Sequence, residues 1–196
     1  MVKTLMPLVS MLAFMTALAV ASPLAINFEG LPDGLALSNE YAGMLFSNAT
    51  VLTAGVSLNE FEFPPASGSN VVFDDSGPLS VVFANPVVTW GGYFTYSGPL
   101  ILRAFDSTHL EIASAFSQFS SNQALSGDFG SSPNEFLQLG SVGGISSIVI
   151  TGSPAGGSFV VDDVTTDIAT VAEPSSAVLF LLAAISLPLF GRRSKL

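Results

Sequence analysis

Acids are the commonest reactive side chains in this sequence. Fifteen Asp and Glu stand against five Lys and Arg, a formal net charge of −10 at pH 7. Four of the five bases, Lys3, Arg192, Arg193 and Lys195, sit at the chain ends, so the stretch between them keeps only Arg103. All the acids except Glu173 lie between Glu29 and Asp167. A domain charged this way repels phosphate backbones and acidic membrane surfaces, which argues against nucleic acid as a partner. Divalent cations are its natural counter-charge, and part of the acidity serves solubility. Cysteine is absent, which removes disulfide staples, a thiol nucleophile, iron–sulfur clusters and thiolate zinc sites. One histidine, His109, is too few for an imidazole-based metal site.

Catalysis finds little support. His109 has Asp106, Ser107 and Glu111 close by in sequence, but in a short turn where such groups are solvated. A nucleophile, a base and an orienting group would have to converge from elsewhere. No motif singles out a carboxylate pair for glycoside hydrolysis. The expectation is a protein that is not an enzyme. Aromatic residues offer a different chemistry: Trp90, Tyr93, Phe94 and Tyr96 crowd one segment around Gly91-Gly92. Trp90, Tyr93 and Tyr96 are candidate glycan contacts, since exposed rings stack on sugar faces. The alternative is that these rings fill a β-sheet core. Strict alternation puts Trp90, Phe94 and Tyr96 on one face unless the glycine pair hosts a bulge.

The elements that must position these groups read as strands. Val, Phe, Ser and Thr are frequent, and Gly and Pro clusters punctuate the chain. Strands are expected at 24–28, 44–46, 50–53, 71–73, 79–84, 87–96, 100–105, 110–116, 135–139, 145–151 and 158–166. Hairpins are expected around Ser47-Asn48-Ala49 and around Asp106-Ser107-Thr108-His109, and turns at Asp75-Ser76-Gly77-Pro78 and Asn85-Pro86. A long polar loop covers 117–132. Many short strands at this spacing predict an all-β fold, an antiparallel β-sandwich of two sheets, with an immunoglobulin-like order as the alternative topology. Successive strand residues face opposite ways, so Asp162 and Asp163 are not expected to share one site.

Both ends read as targeting segments. Lys3, the apolar run Leu5 to Val20 and Ala19-Val20-Ala21 before Ser22 form a secretory signal peptide, residues 1–21. At the other end, Ala172-Glu173-Pro174 precedes an apolar run from Ala177 to Phe190, closed by Gly191-Arg192-Arg193-Ser194-Lys195-Leu196. A helix over that run would rise roughly 21 Å, short of the ~30 Å hydrocarbon core. Extending it over 175–191 brings it nearer to spanning, and the basic end prefers the cytoplasmic side. The tail, 171–196, resembles the sorting signal of PEP-CTERM proteins, although alanine stands where the name-giving first proline would be. The resemblance implies signal peptidase and exosortase as processing partners and Glu173, Pro174, Arg192 and Arg193 as the sorting motif. It further implies a Gram-negative envelope or extracellular matrix as destination, and an association with exopolysaccharide and biofilm. A retained membrane anchor is the competing reading of the tail.

The body, 22–170, is roughly 150 residues, enough for one cored domain. Asn27-Phe28-Glu29-Gly30 near its start and Phe159-Val160-Val161-Asp162-Asp163-Val164 near its end resemble the terminal strands of jelly-roll carbohydrate-binding modules. That resemblance implies a structural calcium ion, Ca2+, between the two termini, with Glu29 as the early ligand and Asp162 as the late one. The alternative is that these acids are solvated strand ends. The combined expectation is an exported, non-enzymatic envelope or matrix protein with polysaccharide as its candidate ligand. A secreted polysaccharide hydrolase and a permanently anchored adhesin are the rivals.

Overall fold

The computed structural model describes residues 24–168. The segments read as a signal peptide (1–21), as a sorting motif (Glu173, Pro174, Arg192 and Arg193) and as an apolar tail helix (175–191) lie outside the described residues. Within them the fold is all-β, with no helix and nine strands: β1 (Leu24–Ile26), β2 (Met44–Ser47), β3 (Ala49–Thr53), β4 (Asn70–Asp74), β5 (Leu79–Tyr96), β6 (Ile101–Phe105), β7 (Glu111–Phe116), β8 (Glu135–Thr151) and β9 (Phe159–Ile168). All nine strands join through antiparallel ladders.

Two long strands organise the sheet. The first part of β5 pairs with β2 and with the end of β8, where Val81 faces Phe46 and Ile148. Its second part pairs with β9 and with the start of β8, where Tyr93 faces Asp162 and Phe136. Register shifts between Val82 and Thr89 mark the bend between these parts. One half of the sheet therefore holds β1, β3, β4, β9 and the ends of β5 and β8 that meet there. The other holds β2, β6, β7 and the opposite ends of the same two strands. The inner faces of both halves supply one buried cluster. Phe28 follows β1 in one half and Phe46 lies on β2 in the other, yet their rings meet edge to face at 6.5 Å. The sheet has folded over its own core, as in sandwiches whose strands cross from sheet to sheet at bulges.

Burial follows from the alternation. Leu79, Val81 and Phe83 on β5, Leu102 and Ala104 on β6, and Ile148 and Ile150 on β8 are buried while several of their neighbours face outward. Each large side chain taken fully out of water contributes about 1.5–3 kcal/mol. β4 and β9 depart from this pattern, carrying Val71-Val72 and Val160-Val161. Val72 and Val161 enter the main core, whereas Val71 and Val160 pack with Leu58, Leu52, Phe63 and Phe73 in a second cluster. Both faces of these strands are covered, which is why their sequence runs continuously apolar.

Three expectations are corrected here. The segments 44–47 and 49–53 do not form a hairpin, because β2 pairs with β5 and β3 with β4. Asn48, at φ 54°, is the corner that sends consecutive strands to different halves. Asn85-Pro86 does not end a strand: β5 runs through it at the irregular bend, a place where a missing N–H costs no ladder bond. Likewise 135–139 and 145–151, expected as two strands, are one strand, β8, with an irregularity over 140–144 where Val142 is fully exposed.

Candidate functional site

Three acids grip one loop. Glu29 Oε1 accepts the N–H groups of Ser69 and Asn70, each at 2.8 Å. Asp162 Oδ2 accepts those of Ala66 and Ser67 at 2.8 and 3.0 Å, and its Oδ1 accepts the Asp163 N–H at 2.7 Å. Ser67 Oγ donates to Asp163 Oδ1 at 2.8 Å. The resulting clamp ties 66–70 to both the first and the last strand region. A Cβ at position 68, where φ is +56°, would run into Glu29 Oε1, so a larger residue there would displace that carboxylate from the loop. Asp162 and Asp163 do meet on one loop residue, contrary to strict alternation. The ladder shows why: Gly91 faces Thr165 and Tyr93 faces Asp162, so β9 carries an extra residue, and Asp163 takes the left-handed φ of 45°.

The electrostatics of the clamp are uneven. Glu29 is exposed, and the N–H groups of Asn70 and Ser69 hold its carboxyl below the usual range. Asp162 is 1% exposed. Desolvation pushes its carboxyl up to about 6, outweighing the Ser67, Asp163 and Ala66 N–H groups, with Asp163 adding like-charge repulsion. Asp74 is a further anchor elsewhere, wholly buried, accepting the Ser158 and Phe159 N–H groups and the Ser158 hydroxyl. Burial raises its carboxyl too. With almost no basic residues available, the chain neutralises buried acids with backbone dipoles.

For calcium, this arrangement is a poor fit as it stands. The oxygens of Glu29 and Asp162 face N–H donors, whose positive ends a cation would have to displace. Among the described residues no three His, Cys, Asp or Glu side chains gather in a metal-holding group.

The aromatic segment divides by face. Trp90, Phe94 and Tyr96 are buried in the core at 1%, 0% and 0% exposure. Trp90 and Tyr96 therefore present no ring to a sugar, a correction to two of the three glycan contacts expected. Inward alternation placed them there, and the bulge falls on β9 instead of between them. The Trp90 Nε1–H has no hydrogen-bond partner. The Tyr96 hydroxyl bonds Glu135 and is pushed up to about 12, chiefly by burial and then by that carboxylate.

Tyr93 points the other way and is 38% exposed. Its cross-strand neighbour Phe136, at 44%, lies with its ring centroid 5.1 Å away and its plane inclined by 54°. Gly91 makes room for that pair: a Cβ there would come within 3.0 Å of Phe136 Cζ and 2.9 Å of the Leu137 carbonyl oxygen. The next position across the ladder brings exposed Gln138 and half-exposed Thr165 to either side of Gly91. Beyond them Thr89 donates to Asp167 Oδ2 at 2.8 Å. The outer face of β8, β5 and β9 is thus a low, glycine-floored strip with two rings at one end and polar groups along it. Phe136 escaped sequence reasoning because its partner lies on a strand far away in the chain. The one available signal was the out-of-phase Phe in Glu135-Phe136-Leu137-Gln138.

The His109 turn is structural. Asp106 Oδ1 accepts the Thr108 and Leu110 N–H groups and the Thr108 hydroxyl, and the Thr108 hydroxyl first of all holds its carboxyl low. Sequence reading also missed Asn122, wholly buried within the long polar loop. Its side chain accepts the Tyr96 N–H at 2.7 Å and donates to the Phe94 carbonyl at 2.9 Å, standing in for a strand beside β5.

No family model and no curated protein matches this chain. Among solved structures, the K2 cleaved adhesin domain of Lys-gingipain is 10% identical, covers 75% of this chain and 100% of its own, and superposes with a TM-score of 0.49. The carbohydrate-binding module CBM35 from Paenibacillus barcinonensis is 18% identical, with coverage of 65% and 94% and a TM-score of 0.37. The CBM22-1 xylan-binding domain of Xyn10C from the same organism is 15% identical, with coverage of 78% and 97% and a TM-score of 0.38. Likenesses this distant do not carry a function across.

Proposed function

We propose that this is an exported, non-enzymatic polysaccharide-binding protein of the cell envelope or matrix, its body a jelly-roll-like sandwich and its tail a sorting signal. The observation that carries the binding reading is the Tyr93–Phe136 pair, two part-exposed rings on an open sheet face with Gly91 beneath and Gln138 and Thr165 alongside. Rings so placed stack on the apolar faces of sugars while amides and hydroxyls take the sugar hydroxyls. The non-enzymatic reading is supported by the employment of the acids. Glu29, Asp74, Asp106 and Asp162 spend their oxygens on backbone N–H groups, an unsuitable state for proton transfer to a substrate. Binding of the full chain to a glycan array, with Tyr93→Ala and Phe136→Ala as controls, tests it. A signal indifferent to both changes, or turnover of a polysaccharide abolished by changing one carboxylate, refutes it.

The export part rests on the sequence of the two ends. Sequencing the termini of the protein recovered from its host should find cleavage after Ala21 and processing near Glu173-Pro174. A cytoplasmic product that keeps Lys3 and Arg192-Arg193 defeats the proposal, and a product cut at Ala21 that keeps its tail favours the permanent anchor. Calcium between Glu29 and Asp162 stands as a separate proposal. A melting temperature unchanged between millimolar calcium and chelator disposes of it.

A further inference from the structure

We propose that the polysaccharide taken by the Tyr93–Phe136 face is one that carries free amino groups, a glucosamine-type polymer in its ammonium form. The inference rests on the binding reading above and deepens it. Three features of the face bear on ligand charge, and all have the same sign.

First, among the described residues no basic side chain stands there to neutralise an anion. Arg103 is the one Lys or Arg among the described residues; it lies on β6, in the other half of the sheet, and pairs with Glu111 at 3.4 Å. A uronate, sulfate or phosphate on the sugar would approach an acidic body without a counter-charge. Second, carboxylates border the strip. Asp163 follows the residue directly across the ladder from Tyr93, and Asp167 pairs with Thr89 at the far end. Both are part-exposed, and each has one carboxylate oxygen engaged by a hydroxyl, Ser67 for Asp163 and Thr89 for Asp167. The second oxygen of each has no hydrogen-bond partner among the described residues and can take an ammonium N–H. Third, the rings themselves favour a cation, because the negative face of an aromatic quadrupole attracts ammonium within about 6 Å. Neighbouring strands lie about 4.8 Å apart, so a glycan lying across β8, β5 and β9 can meet the two rings and then Asp163. An amine-bearing glycan satisfies stacking, charge and hydrogen bonding together, whereas a neutral one satisfies only stacking and hydrogen bonding.

Calorimetric titration of the full chain, purified in detergent, with glucosamine oligomers, N-acetylglucosamine oligomers and oligogalacturonate at mildly acidic pH tests this. The glucosamine oligomer should bind about fivefold tighter than its acetylated counterpart, the scale of one exposed charge pair, with the margin shrinking as salt is added. Oligogalacturonate should not bind. Asp163→Asn should erase most of the margin without unfolding, since Asn tolerates the left-handed φ and still accepts from Ser67. Tyr93→Ala should abolish binding of both glucosamine-series oligomers. Equal or tighter binding of the acetylated oligomer, still lost in Tyr93→Ala, would overturn the amine inference and leave the binding reading standing. Salt-sensitive binding that survives Tyr93→Ala would overturn it as diffuse attraction to an acidic protein. No binding of the glucosamine oligomer would overturn the amine inference, while the binding reading would still be decided by the glycan array.

Discussion

Neutralising Asp162 should make the native fold less sensitive to pH. Asp162 is buried at 1% exposure, and its carboxyl is raised from 3.8 to about 6, first by desolvation. The groups around it are the N–H donors of Ala66, Ser67 and Asp163 and the carboxylate of Asp163; no basic side chain bonds it among the described residues. Because the folded value is the higher one, the native state holds the proton where the unfolded chain has released it. This group's contribution is therefore fully present below about pH 4 and lost as pH rises through about 6. Between pH 7.5 and 4.5 the linkage amounts to about 2 kcal/mol of added stability. In a domain of this size that is a rise of roughly 4–8 °C in melting temperature. Asp162→Asn keeps an acceptor for the loop and cannot titrate. Urea unfolding at the two pH values, followed by the fluorescence of buried Trp90, should show the wild type gaining about 2 kcal/mol more than the variant on acidification. Asp74 titrates in the same direction in both proteins and cancels in the comparison. Parallel pH responses would refute the reasoning. They would mean that the three N–H bonds, and not burial, govern this carboxyl.

Other perturbations separate the site from the scaffold. Gly91→Ala puts a methyl group against the Leu137 carbonyl and the Phe136 ring; it should cost about 1–3 kcal/mol and weaken glycan binding, read by urea unfolding and titration. Tyr93→Ala should abolish binding at a stability cost of about 1–3 kcal/mol, the aromatic pair together with the area the ring covers. Asn122→Ala strands the Tyr96 N–H and the Phe94 carbonyl in the interior. It should cost about 2–4 kcal/mol and open the 117–132 loop to proteolysis, with binding at the Tyr93 face retained in the folded fraction.

Local signals in the chain were enough for the strand class of every described element and for most strand centres, because Val, Ile and Phe alternation with Gly and Pro breaks is written residue by residue. The hairpin of β6 and β7 was legible for the same reason: its two strands and turn are contiguous. Pairing between distant strands was not legible. Nothing near Asn48 says that β2 will join β5 while β3 joins β4, since that choice is made by which faces the folded core can bury. Glu29, Asp162 and Tyr93 stood out by type and place. That the two acids would hold one loop through its N–H groups depended on where 66–70 came to rest. The fate of the aromatics was decided by the same kind of contact. Alternation grouped Trp90, Phe94 and Tyr96 and left Tyr93 opposite, but only the closed sandwich buried the first three. Only the β5–β8 ladder gave Tyr93 its partner, Phe136, forty-odd residues along the chain and roughly 5 Å away across the sheet. Composition settles what a strand is made of; long-range register settles what stands beside it.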